Sequence, residues 1–297
     1  MLDFKPISLD DRNNIEKYFN FLEEPFCDFS FGNLFFWSVV ENTNIAFYGD
    51  FLFIRFSDEE YFYYAFPIGS GEIKNAINLI LEDAKLNNKK IKFVCLNKNQ
   101  TKILKENSEE KIIINKNRDA FDYIYSLEKL ASLSGRKYHS KKNHFNSFKN
   151  KYNFKFELIN EENIFQCISF AREWYSENEA TSTLIREQKA LECAFENYFK
   201  LNLIGAIIKV ENKIIAFCVG EEMYNKNIFC THFEKADYNF QGAYTAINKL
   251  FSEFLINNFK LVNREDDAGV EGLRKAKLSY HPEILLEKYY AEFENWK

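Results

Sequence analysis

Paired cysteines, zinc-type histidine spacing, a membrane-length apolar run and an excess of positive charge are all missing from this sequence. The six cysteines, Cys27, Cys95, Cys167, Cys193, Cys218 and Cys230, include no CxxC pair and sit mostly inside apolar runs. They read as buried thiols in a reducing compartment. His139 and His144 are five apart and do not share a helical face, and His232 and His281 stand alone, so no metal site is expected. The N-terminus, MLDFKPISLDD, lacks a basic segment followed by an apolar one. No apolar stretch approaches the ~20 residues that span a bilayer, and the expectation is a soluble, cytoplasmic protein. A net charge of -5 argues against a uniformly basic nucleic-acid binder but leaves room for a local basic patch.

Apolar and aromatic residues are plentiful. With 46% hydrophobic residues, 32 Phe and 17 Tyr, the chain has ample area for packed cores, and its 297 residues suggest about two domains. Ser8 and Asp11 form a helix-cap pattern ahead of Ile15, Tyr18 and Phe19. The aromatic block over residues 26–37, FCDFSFGNLFFW, is expected to be core. The runs Ile45 to Tyr48 and Phe51 to Phe56 meet at Gly49-Asp50 as a hairpin that Tyr61 to Phe66 extends. Ile73, Ala76, Ile77, Ile80, Leu81 and Ala84 recur at helical spacing before a strand over Ile91 to Leu96. The half over 1–125 is thus mixed α/β with a partly antiparallel sheet and no catalytic constellation.

A basic bridge follows. Between Glu128 and Glu157 there is no acid, while Arg136, Lys137, Lys141, Lys142, Lys149, Lys151 and Lys155 are all basic. A helix over 134–152 places Tyr138, Phe145, Phe148 and Tyr152 on one stripe, with cations on a neighbouring face. That face is either a solvated surface or a phosphate-binding one, with Arg136, Lys137, Lys141 and Lys142 as the nucleic-acid-binding candidates.

The half over 126–297 reads as strand (Phe154 to Ile159), two helices, three strands in a meander, helix (Ala243 to Asn258), strand (Phe259 to Val262), helix and strand. Its last part, NREDDAGVEGLRKAKLSYHPEILLEKYY, carries an acidic turn, two glycines and a basic helix start. Such a stretch is either a capped surface turn or the wall of an anion site. Glu234, at the end of a strand, is either a base or a structural carboxylate paired with Lys235 or Arg264. Asp266 and Asp267 are competing bases or helix caps, and Tyr280 either protonates a leaving group or packs.

This order of elements resembles the GNAT acyltransferase fold. There the loop before the central helix offers amides to a cofactor pyrophosphate through an R/Q-x-x-G-x-G/A pattern. NFQGAY stands here, with Asn239 and Tyr244 departing from the pattern and Gly242 and Ala243 as the aligned cofactor contacts. Four blocks in order, FSFGNLFFW, DYIYSLEKLASLSGRKYHSKKNHFNSF, FEKADYNFQGAYTAIN and NREDDAGVEGLRKAKLSYHP followed by EKYY, resemble the DUF2156 family. That family is related to the C-terminal domain of phosphatidylglycerol lysyltransferases and to Fem-type aminoacyltransferases. The resemblance implies an α+β chain of two tandem GNAT-like domains, each a mostly antiparallel sheet flanked by helices. It also implies an acyltransferase with aminoacyl-tRNA or acyl-CoA as donor, and a small-molecule, peptide or lipid-headgroup acceptor. Lys277, Tyr280, Pro282, Lys288 and Tyr289 match the lysyltransferase elements FK-x-x-F-x-P and RY, with Ala276 and Lys288 in place of Phe and Arg. Arg274, Lys277 and Lys288 are accordingly the candidate donor-phosphate ligands.

Overall fold

The computed structural model describes residues 1–108, 110–224, 227–294 and 296. The chain divides into two compact units, Met1–Asp122 with Leu286–Lys297, and Tyr123–Leu285. Residues 286–297 therefore belong with the first unit, and not with the second half as the division into 1–125 and 126–297 has it.

The first unit contains β1 (Lys5–Pro6), α1 (Arg12–Phe19), α2 (Phe31–Glu41), β2 (Asn44–Tyr48), β3 (Phe51–Ser57), β4 (Tyr61–Tyr64), β5 (Ile68–Gly69), α3 (Ile73–Leu86), β6 (Lys90–Leu96), α4 (Lys98–Asn107) and β7 (Ile112–Lys116). Ser8 donates to Asp11 Oδ2 from both its amide, at 3.0 Å, and its hydroxyl, at 2.6 Å, so the cap pattern is real. The aromatic block buries Phe26, Phe29, Phe31, Leu34 and Phe36. Helix α3 turns Ala76, Ile77, Ile80 and Ala84 into the core, as its spacing requires.

The second unit contains β8 (Asp122–Ser126), α5 (Leu127–Ser132), α6 (His139–Lys151), β9 (Phe154–Leu158), α7 (Ile164–Ser176), α8 (Ser182–Glu196), β10 (Ile204–Val210), β11 (Lys213–Glu222), β12 (Ile228–Ala236), α9 (Ala243–Leu255), β13 (Leu261–Asn263), α10 (Glu271–Leu278) and β14 (Ile284–Leu286). The single helix expected over 134–152 is a short 3-10 turn, Arg136–Tyr138, followed by α6. Its aromatic stripe packs as expected: Tyr138 and Phe148 belong to the core, with Phe145 and Tyr152 against it.

The chain then returns to the first unit as β15 (Tyr289–Phe293), which pairs antiparallel with both β6 and β7. The first sheet runs β1-β2-β3-β4-β6-β15-β7, with β5 on β3, and the second runs β14-β8-β13-β12-β11-β10-β9. In the second, β9 to β12 are antiparallel neighbours, while β12 and β13 run parallel, joined by the crossover helix α9. The ends of that parallel pair carry the site.

Candidate active site

Helix α9 is apolar on its inward face except for Thr245, Asn248 and Ser252, which are all buried. Buried polar groups of this kind need partners. Asn248 Nδ2 lies 3.4 Å from Glu234 Oε2 on β12, and Tyr280 donates to Thr245 Oγ1 at 3.3 Å. Arg264, just past β13, donates from Nη2 to Glu234 Oε1 at 2.8 Å, and the two side chains are 11% and 14% exposed. The guanidinium carbon lies 5.0 Å from the Tyr280 ring centre and 5.6 Å from that of Tyr125. Lys141, from α6, completes the group with Nζ 3.9 Å above the Tyr280 ring.

Burial works against the Arg264 charge, but the Glu234 carboxylate beside it outweighs burial and raises its pKa. Burial first, and then the nearby Arg264 charge, lower the Lys141 pKa. Burial raises the Tyr280 hydroxyl against the opposing pull of Arg264. Two atoms here, Arg264 Nη1 and Asn248 Oδ1, are buried without a hydrogen-bond partner among the described residues. An unsatisfied buried donor and acceptor are costly, and their cost is met when a ligand supplies the missing bonds.

Of the residues singled out from sequence, Glu234, Tyr280 and Lys141 come together here. Asp266 and Asp267 do not. Asp267 is fully buried and accepts from Tyr123 at 2.5 Å, from Arg274 at 2.9 and 2.6 Å, and from the Gly269 amide at 3.0 Å. Burial would raise its pKa, but these bonds outweigh burial and bring it down to about 2. A carboxylate so engaged is a helix anchor and not a base, and Arg274 is correspondingly bound to it. Asp266 Oδ1 accepts from the Ala268 amide at 3.0 Å, which is a turn bond. Lys277 donates to the carbonyl oxygens of Arg264, at 2.5 Å, and of Asp266, so it holds the acidic turn closed.

Lys288 requires a correction. It lies in the first unit, 1% exposed, donating to Asp122 Oδ1 at 2.7 Å and to Asp28, with Cys27 Sγ at 3.5 Å. Burial would lower its pKa, but Asp122 and Asp28 hold it well above the ordinary value. It is a buried counter-ion and not a phosphate ligand beside Arg274 and Lys277.

Gly242 has φ +91° and caps α9, as the glycine of a pyrophosphate loop does. A Cβ there would lie 2.8 Å from the His144 carbonyl oxygen and 3.1 Å from Phe148 Cβ, so α6 crosses over this glycine. The Ala243 amide donates to the Phe240 carbonyl at 3.0 Å, and its side chain is buried. Gly242 thus admits the close approach of α6 to α9, and Ala243 belongs to the core of the unit. Arg136, Lys137 and Lys142 are exposed, whereas Lys141 is half-buried over Tyr280, which separates it from the other three.

Comparison with known proteins agrees with this architecture. Residues 19–292 match the family described as phosphatidylglycerol lysyltransferase, C-terminal. The chain belongs to this family of acyltransferases. A conserved protein of unknown function from Bacteroides thetaiotaomicron is 36% identical, with a TM-score of 0.93 over 99% of this chain and 100% of that one. The L-PGS of Bacillus licheniformis shares the fold at 15% identity, with a TM-score of 0.69 over 97% of this chain and 93% of that one. An uncharacterised protein of Mycoplasmoides gallisepticum is 26% identical over 171 residues, 57% of this chain, and the match spans only 54% of that protein's length. The fold is the mixed α/β one of tandem GNAT and Fem-type proteins. Among the described residues, no helix is long and apolar enough to cross a membrane.

Sequence reasoning missed Asn248 and the unpartnered Arg264 nitrogen. Polar residues at positions 245 and 248, three apart on the core face of an apolar helix, were the available signal.

Proposed function

We propose that the second unit transfers an aminoacyl group from aminoacyl-tRNA to an amine or hydroxyl acceptor. The observation that carries this reading is the buried Arg264 guanidinium, with Nη2 on Glu234 and Nη1 unpartnered among the described residues. In this scheme the acceptor nitrogen or oxygen attacks the ester carbonyl and gives its proton to Glu234. Arg264 Nη1, with the Lys141 ammonium nearby, offers hydrogen bonds to the oxyanion. The ester bond breaks, and the ribose oxygen leaves with the proton that Glu234 took from the acceptor, which returns Glu234 to its carboxylate. Exposed Arg136, Lys137 and Lys142 supply sequence-independent contacts to tRNA phosphates. The family description names lysyl transfer to phosphatidylglycerol, which supports an aminoacyl donor and includes a lipid headgroup among the acceptors.

An acyl-CoA donor needs open amides at the start of α9. The α6 backbone over Gly242 and the occupied Ala243 amide weigh against it. A binding protein without catalysis is the remaining alternative.

The test is a titration with aminoacyl-tRNA at two salt concentrations, followed by a transfer assay. Binding should be saturable, weaken with salt, and be lost when Arg136, Lys137 and Lys142 are all changed to Glu. Glu234→Gln should slow transfer by about 10²–10⁴-fold with tRNA binding retained. Tight acetyl-CoA binding without tRNA binding overturns the donor, and undiminished transfer by Glu234→Gln overturns the base.

A further inference from the structure

The first unit takes no part in the scheme above, and it contains a cavity of about 210 Å³. The segment after α1, strands β3 and β5, and the first turns of α3 and α4 wall it, and every lining residue belongs to that unit. Phe21, Phe51, Phe66, Ile68, Ile73 and Ile103 make the walls apolar. A cavity of ~150 Å³ holds benzene, and pockets for drug-sized molecules begin near ~300 Å³. The space here therefore suits one branched or aromatic group with a few polar atoms. Phe51 reaches its place in the wall because residue 71 is glycine: a Cβ there would lie 2.6 Å from the ring.

Two polar side chains interrupt the apolar lining, Glu23 and Gln100. Glu23 is exposed, which places it at the mouth. Asn97, 6% exposed, caps α4 by accepting the Gln100 backbone amide on Oδ1 at 2.8 Å, and this turns its Nδ2 to Glu23 Oε2 at 2.9 Å. Asn99 Nδ2 donates to Glu23 Oε1, also at 2.9 Å. Among the described residues the partners of this carboxylate are these neutral amides, and no cation pairs with it. Neutral donors fix a carboxylate in place without cancelling its charge. Glu24 adds a second acid beside it, and burial first, and then the Glu23 charge, raise the Glu24 pKa. The mouth is thus anionic and held in one geometry. Gln100 Oε1 accepts from the Asn97 backbone amide at 2.9 Å, so the group that Gln100 has left to offer is an N–H donor.

These features select an occupant by charge and shape. An ammonium group matches Glu23, and the face of Phe21 at the same rim also favours a cation. A neutral carbonyl matches the Gln100 donor, whereas a free carboxylate would be repelled by Glu23 and Glu24. A branched or aromatic side chain fills the apolar walls and leaves water.

We propose that this cavity binds an apolar α-amino amide, a compact amine of amino-acid size whose carboxyl is masked, with its ammonium on Glu23 and its carbonyl on Gln100. The carboxylate is already oriented by Asn97 and Asn99, so binding does not have to order it. This inference does not depend on the donor or acceptor proposed for the second unit.

The test is a calorimetric titration of the full chain with three small molecules: leucinamide, 4-methylpentanamide, which lacks the amine, and leucine, which carries the free carboxylate. Leucinamide should saturate at one equivalent, and each of the other two should bind at least about tenfold more weakly. Affinity for leucinamide should fall as pH rises through about 8, where an α-amino group loses its proton. Glu23→Gln should weaken leucinamide about 10–100-fold, the worth of a hydrogen bond to a charged group. Ile103→Trp, which fills the cavity, should abolish binding. Because that variant can also fail by misfolding, the methyl NMR signals of the unmutated chain are followed as well. Leucinamide should shift those of Ile68, Ile73 and Ile103 and leave that of Ile247, in the core of the second unit, in place. Absence of saturable binding, equal binding of leucinamide and 4-methylpentanamide, undiminished binding by Glu23→Gln, or shifts that spare the three cavity isoleucines would each overturn the inference.

Discussion

Asp267 illustrates how a single carboxylate is decided by its neighbours. Tyr123, Arg274 and the Gly269 amide occupy its oxygens and hold its pKa near about 2, below its ordinary value of 3.8. Because the folded value is depressed, the stabilisation is complete above pH 3.8 and is lost as pH falls towards about 2. Asp267→Asn should lower stability at neutral pH by about 1.5–3 kcal/mol, the worth of hydrogen bonds to a charged group. In urea unfolding, the gap between wild type and Asp267→Asn should narrow between pH 4 and pH 2. A gap constant across that window would mean the carboxylate charge is irrelevant. In the sequence Asp267 is one acid of three in a row, and nothing local distinguishes it from Glu265 or Asp266. Only the arrival of Tyr123 and Arg274 does so.

Among the elements, the crossing of α6 over the start of α9 is the most constrained. Gly242 combines a left-handed φ of +91° with the His144 carbonyl at 2.8 Å from any added Cβ. Gly242→Ala should therefore cost about 1–3 kcal/mol, from strain and the displaced helix together. Gly272 on α10 has no atom within 4 Å of its Cβ position and no positive φ. Gly272→Ala should raise stability by about 0.5–1 kcal/mol through helix propensity. Thermal unfolding of the two variants should move in opposite directions, and a loss for both would mean that α10 packs more closely than its exposure indicates. The existence of both helices was readable from apolar periodicity. Their crossing was not, because the glycine that permits it looks the same in sequence as a phosphate-loop glycine.

Across the whole molecule, the chain's return to its first unit has the largest consequence. Strand β15 pairs with β6 and β7, and Lys288 just before it neutralises Asp122 and Asp28 in that unit's interior. Lys288→Met keeps the length of the side chain and leaves both carboxylates without their cation. It should destabilise by about 3–5 kcal/mol in urea unfolding, as removal of one partner of a buried ion pair does. A loss under about 1 kcal/mol would place Lys288 outside the balance of that cluster.

The sequence by itself determined the element order, the aromatic core, the antiparallel meander with its parallel fifth strand, and the basic bridge. These follow from periodicity and local turn chemistry, which act over a few residues and so are written in short windows. Only the tertiary structure decided that Arg264 takes Glu234, that Lys288 is a buried counter-ion, and that Glu23 and Gln100 line one cavity. A charged side chain acquires its role from whichever partner lies within about 3 Å. That distance is set by strand register and chain return, which join residues far apart in sequence.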